Sequence, residues 1–202
     1  MITLYGVANT RTRRNLWFLE ELAIPYELFV VKPRDESSQR AEYRAINPMG
    51  KVPTLVDDGL VVTESMAINF YLARKYGQNW WPDATAAEAA LFQWTFFSAT
   101  EIDPLFFTII YETLIKPADS RINAAADQAL RMLERPMAYL DSTLESNDYL
   151  LGQAFTLADL NVAGVCTMGR RIDFDFSRYA RVSTWLERCW DRPAFKRADA
   201  MG

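Results

Sequence analysis

Apolar and polar positions change their period once along the chain. Up to about residue 77, short β-rich runs alternate with helical spacings. Ile2-Thr3-Leu4-Tyr5 reads as a strand. Apolar residues at 16, 19 and 23, with 18 and 22, predict a helix over Arg13–Leu22, stopped by Pro25. Tyr26–Val31 reads as the next strand, and Ser37–Ile46 as a polar helix closed by Asn47-Pro48. Val52–Val56 and Leu60–Thr63 are strands joined by Asp57-Asp58-Gly59, a hairpin signal. Glu64–Tyr76 is a helix with its apolar face at 67, 68, 71 and 72. From Trp80-Trp81-Pro82 onward no strand alternation returns. Ala86–Leu114 and Ser120–Leu144 are long helical stretches, with bends expected at Pro104 and Pro136. Thr156 opens a further helix, and Tyr179–Asp191 forms another. The pattern predicts an α/β domain over 1–77, a linker over 78–85 and an all-α domain over 86–202.

Composition narrows the function classes. With 202 residues, 50% of them hydrophobic and 24% charged, the chain can bury a core without disulfide staples. The longest near-apolar stretch, Pro104–Tyr111, is too short for a membrane span, which needs about 18 residues. The first residues lack a basic start and a long apolar run, so a secretory signal is not expected and a cytoplasmic location is. A net charge of −4 argues against a nucleic-acid partner, and Arg11, Arg13 and Arg14 read by default as a solvated face. The two cysteines, Cys166 and Cys189, lie at apolar helical positions and form no C-x-x-C, so they read as inert core residues. There is no histidine, which removes histidine triads and histidine metal sites. Catalysis must then use a hydroxyl, an amide, a carboxylate, a backbone donor or a cofactor.

Two short stretches carry chemistry. In Asn47-Pro48-Met49-Gly50-Lys51-Val52-Pro53-Thr54-Leu55, a proline opens a strand just after a glycine turn. One reading is a trans proline at a strand start. The other is a cis Val52–Pro53 bond that leaves the Val52 N–H and C=O facing outward, able to pair with an extended peptide. In Glu64-Ser65, a strand hands over to a helix. Ser65 reads either as a plain helix cap or as part of a carboxylate site built on the helix start.

Together, N-P-x-G-K-V-P-x-L and the following E-S-x-A-I-x-x-Y-L resemble the glutathione-binding half of the cytosolic glutathione transferases. Phe155-Thr156-Leu157-Ala158-Asp159 resembles the family's capping box, with Phe155 and Leu160 as its hydrophobic staple, and reads as a folding device. Trp185–Cys189 through Arg192-Pro193-Ala194-Phe195 resembles its C-terminal helices. The resemblance spans nearly the whole chain. It implies a thioredoxin-like N-terminal domain, an all-α C-terminal domain and a cis Val52–Pro53 bond.

The resemblance also implies site residues. Family members place a Tyr, Ser or Cys of the first βα turn beside the glutathione sulfur. This turn has no cysteine, and Tyr5 lies inside the strand. Thr10, four residues past Gly6, stands where phi-like members carry serine; Asn9 is the rival donor, and Thr10 as a cap of the next helix is the bland alternative. Arg40, Lys51, Val52, Pro53, Glu64 and Ser65 are implied to hold the tripeptide, with Gln39 near Arg40. Phe106, Phe107 and Tyr111 are the implied electrophile pocket. Glu101 and Asp103 are the candidates for reaching a partner subunit's glutathione in a homodimer.

The implied reaction is attack of a stabilised glutathione thiolate on a small hydrophobic electrophile, in a bacterial-type enzyme with a hydroxyl-type site. Glutathione is co-substrate, and no metal is expected. The alternatives are glutathione-dependent disulfide reduction or dehalogenation, and a non-catalytic binding module on the same fold.

Overall fold

Ile2–Gly6 alternates buried and half-buried side chains and forms β1 at the centre of the N-terminal sheet. Tyr26–Val30 (β2) pairs with it in parallel, so a crossover must separate them, and α1 (Thr12–Leu22) supplies it. Thr54–Asp57 (β3) and Leu60–Thr63 (β4) form an antiparallel hairpin on the other side, giving the order β2-β1-β3-β4. The polar helix expected at 37–46 is two pieces, α2 (Glu36–Gln39) and α3 (Ala41–Ile46). Arg40 leaves helical geometry at ψ 140, and Ser38 turns its hydroxyl back to the Asp35 carbonyl. α4 (Ser65–Tyr76) follows β4 directly. Leu4, Leu16, Phe18, Leu55, Ile68 and Leu72 fill the space between sheet, α1 and α4.

The helical unit begins with α5 (Thr85–Phe97). It passes through a wider π-turn at 98–102 into α6 (Asp103–Ile110), and a second π-turn follows at 111–115. The break expected at Pro104 falls just before it, because a proline without N–H is tolerated in a helix's first turn. The same logic divides α7 (Asn123–Met132) from α8 (Glu134–Thr143), with Pro136 in the first turn of the second piece. α9 (Leu157–Arg170) is buried from Leu157 to Thr167, as a helix that is mostly apolar all round should be. Its Asp159 carboxylate accepts from the Thr156 N–H, the Leu150 N–H and the Trp185 indole at 2.8–3.0 Å, closing the expected capping box. α10 (Ala180–Trp190) ends the unit.

The computed structural model describes residues 1–202 and divides them into two units, residues 1–81 with 191–202, and residues 82–190. The division falls at Trp81, because Trp80 packs edge-on against Phe18 and Trp81 against Phe70. Residues 191–202, expected with the helical domain, pack instead with the first unit. There α11 (Pro193–Asp199) lies along α1, with Phe195 edge-on to Trp17 at 4.8 Å. Arg192 holds Glu21 with two hydrogen bonds, at 2.6 and 2.7 Å. No helix is long and apolar enough to cross a membrane.

At the far end of β3 the buried Asp57 accepts from Tyr71, Tyr76 and Lys75 at 2.6–2.7 Å. Burial alone would push its carboxyl up, but these donors outweigh it and lower the pKa to about 2. A depressed carboxylate contributes stability that is complete above its unfolded value and is lost as pH falls through the folded one. Asp57→Asn should therefore cost about 2 kcal/mol near neutral pH. That deficit should shrink as pH falls from about 4 to about 2, as followed by urea denaturation across this range.

Candidate functional site

The sheet register assembles the candidate residues. Tyr5 pairs with Thr54, and Thr54 pairs with Thr63. The end of β1, the start of β3 and the end of β4 therefore share one end of the sheet. The turn 7–11, the segment 51–53 and the Glu64-Ser65 step leave from that end together.

The first turn is built by Thr10. Its hydroxyl donates to the Val7 carbonyl at 2.7 Å, lies 2.9 Å from the Thr12 hydroxyl and accepts from the Thr12 N–H at 3.2 Å. It thus satisfies one of the donors that a helix start leaves over. A hydroxyl has one proton, so donation to a sulfur would take it from Val7 or Thr12. Asn9, one residue earlier, is exposed.

The second segment is held through its backbone. Gly50 sits at φ 61, where a Cβ would come within 2.8 Å of the Ser38 carbonyl, and its N–H closes the turn to the Asn47 carbonyl at 2.9 Å. The Lys51 carbonyl then accepts from the Tyr43 hydroxyl at 2.5 Å and from the Asn47 amide at 2.8 Å. The Lys51 side chain stays exposed, the Val52–Pro53 bond is cis and Pro53 is buried.

Glu64 and Ser65 begin α4. Glu64 is exposed, with φ 68 and ψ 117, a conformation that costs a non-glycine residue on the order of 1–3 kcal/mol. Ser65 is buried. The Arg14 guanidinium, itself 3% exposed, donates to the Ser65 hydroxyl at 3.2 Å. The Asn15 amide donates to the Ser65 carbonyl and to Asn69, both at 2.7 Å. The helix start thus has a buried cation behind it, and both favour an anion there.

Sequence reasoning missed this support. Arg14 read as part of a solvated face, yet it is buried, because its position on α1 turns it toward α4. Asn15 and Asn69 were not singled out. Their signal was polar side chains on the buried face of a helix, visible only once the inward faces are known.

The remaining candidates are scattered. Arg40 is exposed at the α2–α3 break, and Gln39 accepts from Arg44 at 2.9 Å. Phe106 is fully buried, edge-on to Phe174 at 5.3 Å, so it belongs to the core of the helical unit rather than to an open pocket. Phe107 and Tyr111 are half-buried and stacked at 5.9 Å. Glu101 is exposed, whereas Asp103 is buried at the start of α6, which removes it as a contact to another subunit.

A four-stranded sheet in the order β2-β1-β3-β4 with helices packed on it, followed by a helical unit, defines a protein with a thioredoxin-like N-terminal domain and an all-α C-terminal domain. Comparisons with known proteins identify which. Residues 1–74 match the glutathione S-transferase N-terminal domain, and residues 102–193 match the C-terminal domain. Glutathione S-transferase 3 of Schizosaccharomyces pombe is 31% identical, over 96% of this chain and 85% of its own length. Glutathione S-transferase GstB of Escherichia coli is 29% identical, over 98% of this chain and 97% of its own. The theta class glutathione S-transferase of the citrus canker pathogen Xanthomonas axonopodis pv. citri, solved with glutathione bound, superposes with a TM-score of 0.89. It is 28% identical and covers 100% of this chain and 98% of that one. The chain belongs to the glutathione S-transferase family.

The strained backbone at Glu64 separates stability from binding. Glu64→Gly should relieve the positive φ and raise unfolding stability by about 1 kcal/mol, net of glycine's greater unfolded-state freedom. Denaturant titration of the free protein checks the sign, and an unchanged or lower stability would contradict the strain.

Proposed function

We propose that the chain is a glutathione transferase that binds the tripeptide at the sheet end described above and stabilises its thiolate for attack on a hydrophobic electrophile. The observation that carries this reading is the start of α4. Ser65 and the helix N-terminus, with Arg14 behind them, suit the γ-glutamyl carboxylate, and the exposed Glu64 suits its ammonium. The tripeptide backbone then pairs with Val52 beside Pro53, while Lys51 and Arg40 lie on the side of its glycine carboxylate. Phe107 and Tyr111 are the apolar surface assigned to the electrophile. Both cysteines are buried, which favours chemistry at glutathione's own thiol over exchange through a protein thiol.

The engagement of the Thr10 hydroxyl within its own turn shifts the donor role toward the rival, Asn9. Thr10 shapes the turn, and Asn9 presents an amide to the sulfur. The protein is further proposed to work as a homodimer, with Glu101 directed to the partner's site. A 23.2 kDa mass by light scattering at micromolar concentration would remove the dimer.

Retention on immobilised glutathione and conjugation of an aromatic halide test the activity, and failure of both would support a non-catalytic module. Glu64→Ala should weaken glutathione binding by at least ~1.5 kcal/mol, as measured by calorimetry. Equal affinity would sink the assignment of the α4 start.

Asn9→Ala should raise the pKa of the bound thiol and cut turnover at neutral pH by ~10- to 100-fold, with glutathione affinity within about threefold. Thr10→Ala should mainly destabilise the first turn, by about 1 kcal/mol. The thiolate absorbance of each complex against pH decides. A shift in Thr10→Ala alone would return the role to the hydroxyl. No shift in either would leave it to the backbone.

A further inference from the structure

Arg13 is the residue of α1 that reaches back over the first turn. Its Nε donates to the Ala8 carbonyl at 3.1 Å, and its Nη1 lies 3.1 Å from the Asp199 carboxylate at the end of α11. Both side chains of this ion pair are largely shielded, at 13% and 26% exposure, so solvent screens them less than a surface pair. The Ala8 carbonyl belongs to the Ala8–Asn9 peptide, and fixing that oxygen fixes the plane from which Asn9 leaves. Gly202 rests on the same peptide. A Cβ added to it would come within 2.7 Å of the Ala8 Cβ and 2.9 Å of the Asn9 nitrogen.

We propose that Arg13 and Asp199 are positioning residues, a clamp from α11 that orients the Ala8–Asn9 peptide and through it the donors offered to the glutathione sulfur. The proposal rests on the reading of this turn as the thiol site. Other ion pairs hold α11 against α1 away from the turn, among them Glu20 with Arg197 at 2.5 Å. The helix therefore stays docked when the clamp is cut, and orientation can be tested apart from folding.

The direction of the pKa change separates positioning from bare charge. Removing Asp199 takes a negative charge away from the site, which by electrostatics alone lowers the pKa of the bound thiol. Loss of positioning raises it, because the donors no longer point at the sulfur.

The experiment follows thiolate absorbance against pH, with kcat and KM, for wild type, Asp199→Ala, Asp199→Asn and Glu20→Ala. In Asp199→Ala the thiol pKa should rise by about 0.5–1 unit and kcat at neutral pH fall about three- to tenfold, with KM for glutathione within about twofold. Asp199→Asn keeps an acceptor for the guanidinium and should restore most of the wild-type profile. Glu20→Ala, which loosens the same helix elsewhere, should leave the thiol pKa in place. A lowered or unchanged pKa in Asp199→Ala, or an equal rise in Glu20→Ala, overturns the clamp. A wild-type complex with no thiolate band overturns the thiol-site reading together with it.

Discussion

Everything at the candidate site depends on the backbone ladder that joins β1, β3 and β4. Side chains alternate across a sheet, so a slip of one residue turns every side chain to the other face. Here Leu4 pairs with Leu55, and both are fully buried, which ties the register to the core. With that row in place, Tyr5, Thr54 and Thr63 must stand side by side, and three loops distant in sequence must open at one end. Core packing and chemistry are therefore one constraint. Hydrophobic burial selects the register, and the register selects which polar residues meet.

What meets there is costly to fold. Arg14 gives up bulk water for a site in which its partners include the Ser65 hydroxyl, and desolvating an ion costs several kcal/mol unless its hydrogen bonds are replaced. Glu64 adds backbone strain. The Asn15 carbonyl oxygen is buried without a hydrogen-bond partner in the chain. An acceptor without a partner, a buried cation and a strained, exposed acid thus meet at one helix start. The opposing contributions sit elsewhere in the same unit. The Asp57 cluster closes the other end of β3, and Phe195 and Arg192 fasten α11 along α1. The unit is tightened at its far end and along its back.

Legibility from sequence followed the range of the physics involved. The strands, the Asp57-Asp58-Gly59 hairpin and the capping box at Thr156–Asp159 rest on local periodicity or local hydrogen bonds, and they stand where the residues predict. The cis Val52–Pro53 bond came through the family resemblance, since nothing local demands it. The break at Arg40 was not legible, because no glycine or proline marks it between 37 and 46, and a serine's local hydrogen bond to the carbonyl three residues back, as Ser38 makes to Asp35, is compatible with a helix or a turn. Phe106 and Asp103 show the same limit: a residue type in a helical stretch does not say which way it points. α11 was legible as a helix but not as a part of the first unit. Amphipathicity tells which face is buried and is silent on the surface that buries it.

The absence of histidine sets the energetic task of the site. A free thiol has a pKa near 8.5, and bringing it down by about two units takes ~2.7 kcal/mol of selective stabilisation of the thiolate. A hydrogen bond to a charged acceptor supplies ~1.5–3 kcal/mol, and a helix start adds ~0.3–1. One well-aimed donor and the start of α1 are therefore enough, without a general base. The margin is narrow, however, and hydrogen bonds weaken steeply as they bend. A donor a few tens of degrees off line forfeits the surplus. Chemistry of this kind places its demand on the rigidity of the turn more than on the identity of the donor. It accounts for a turn in which Thr10 spends its hydroxyl on the backbone and Arg13 spends its guanidinium on a carbonyl. Both contacts narrow the directions in which the turn's other groups can point.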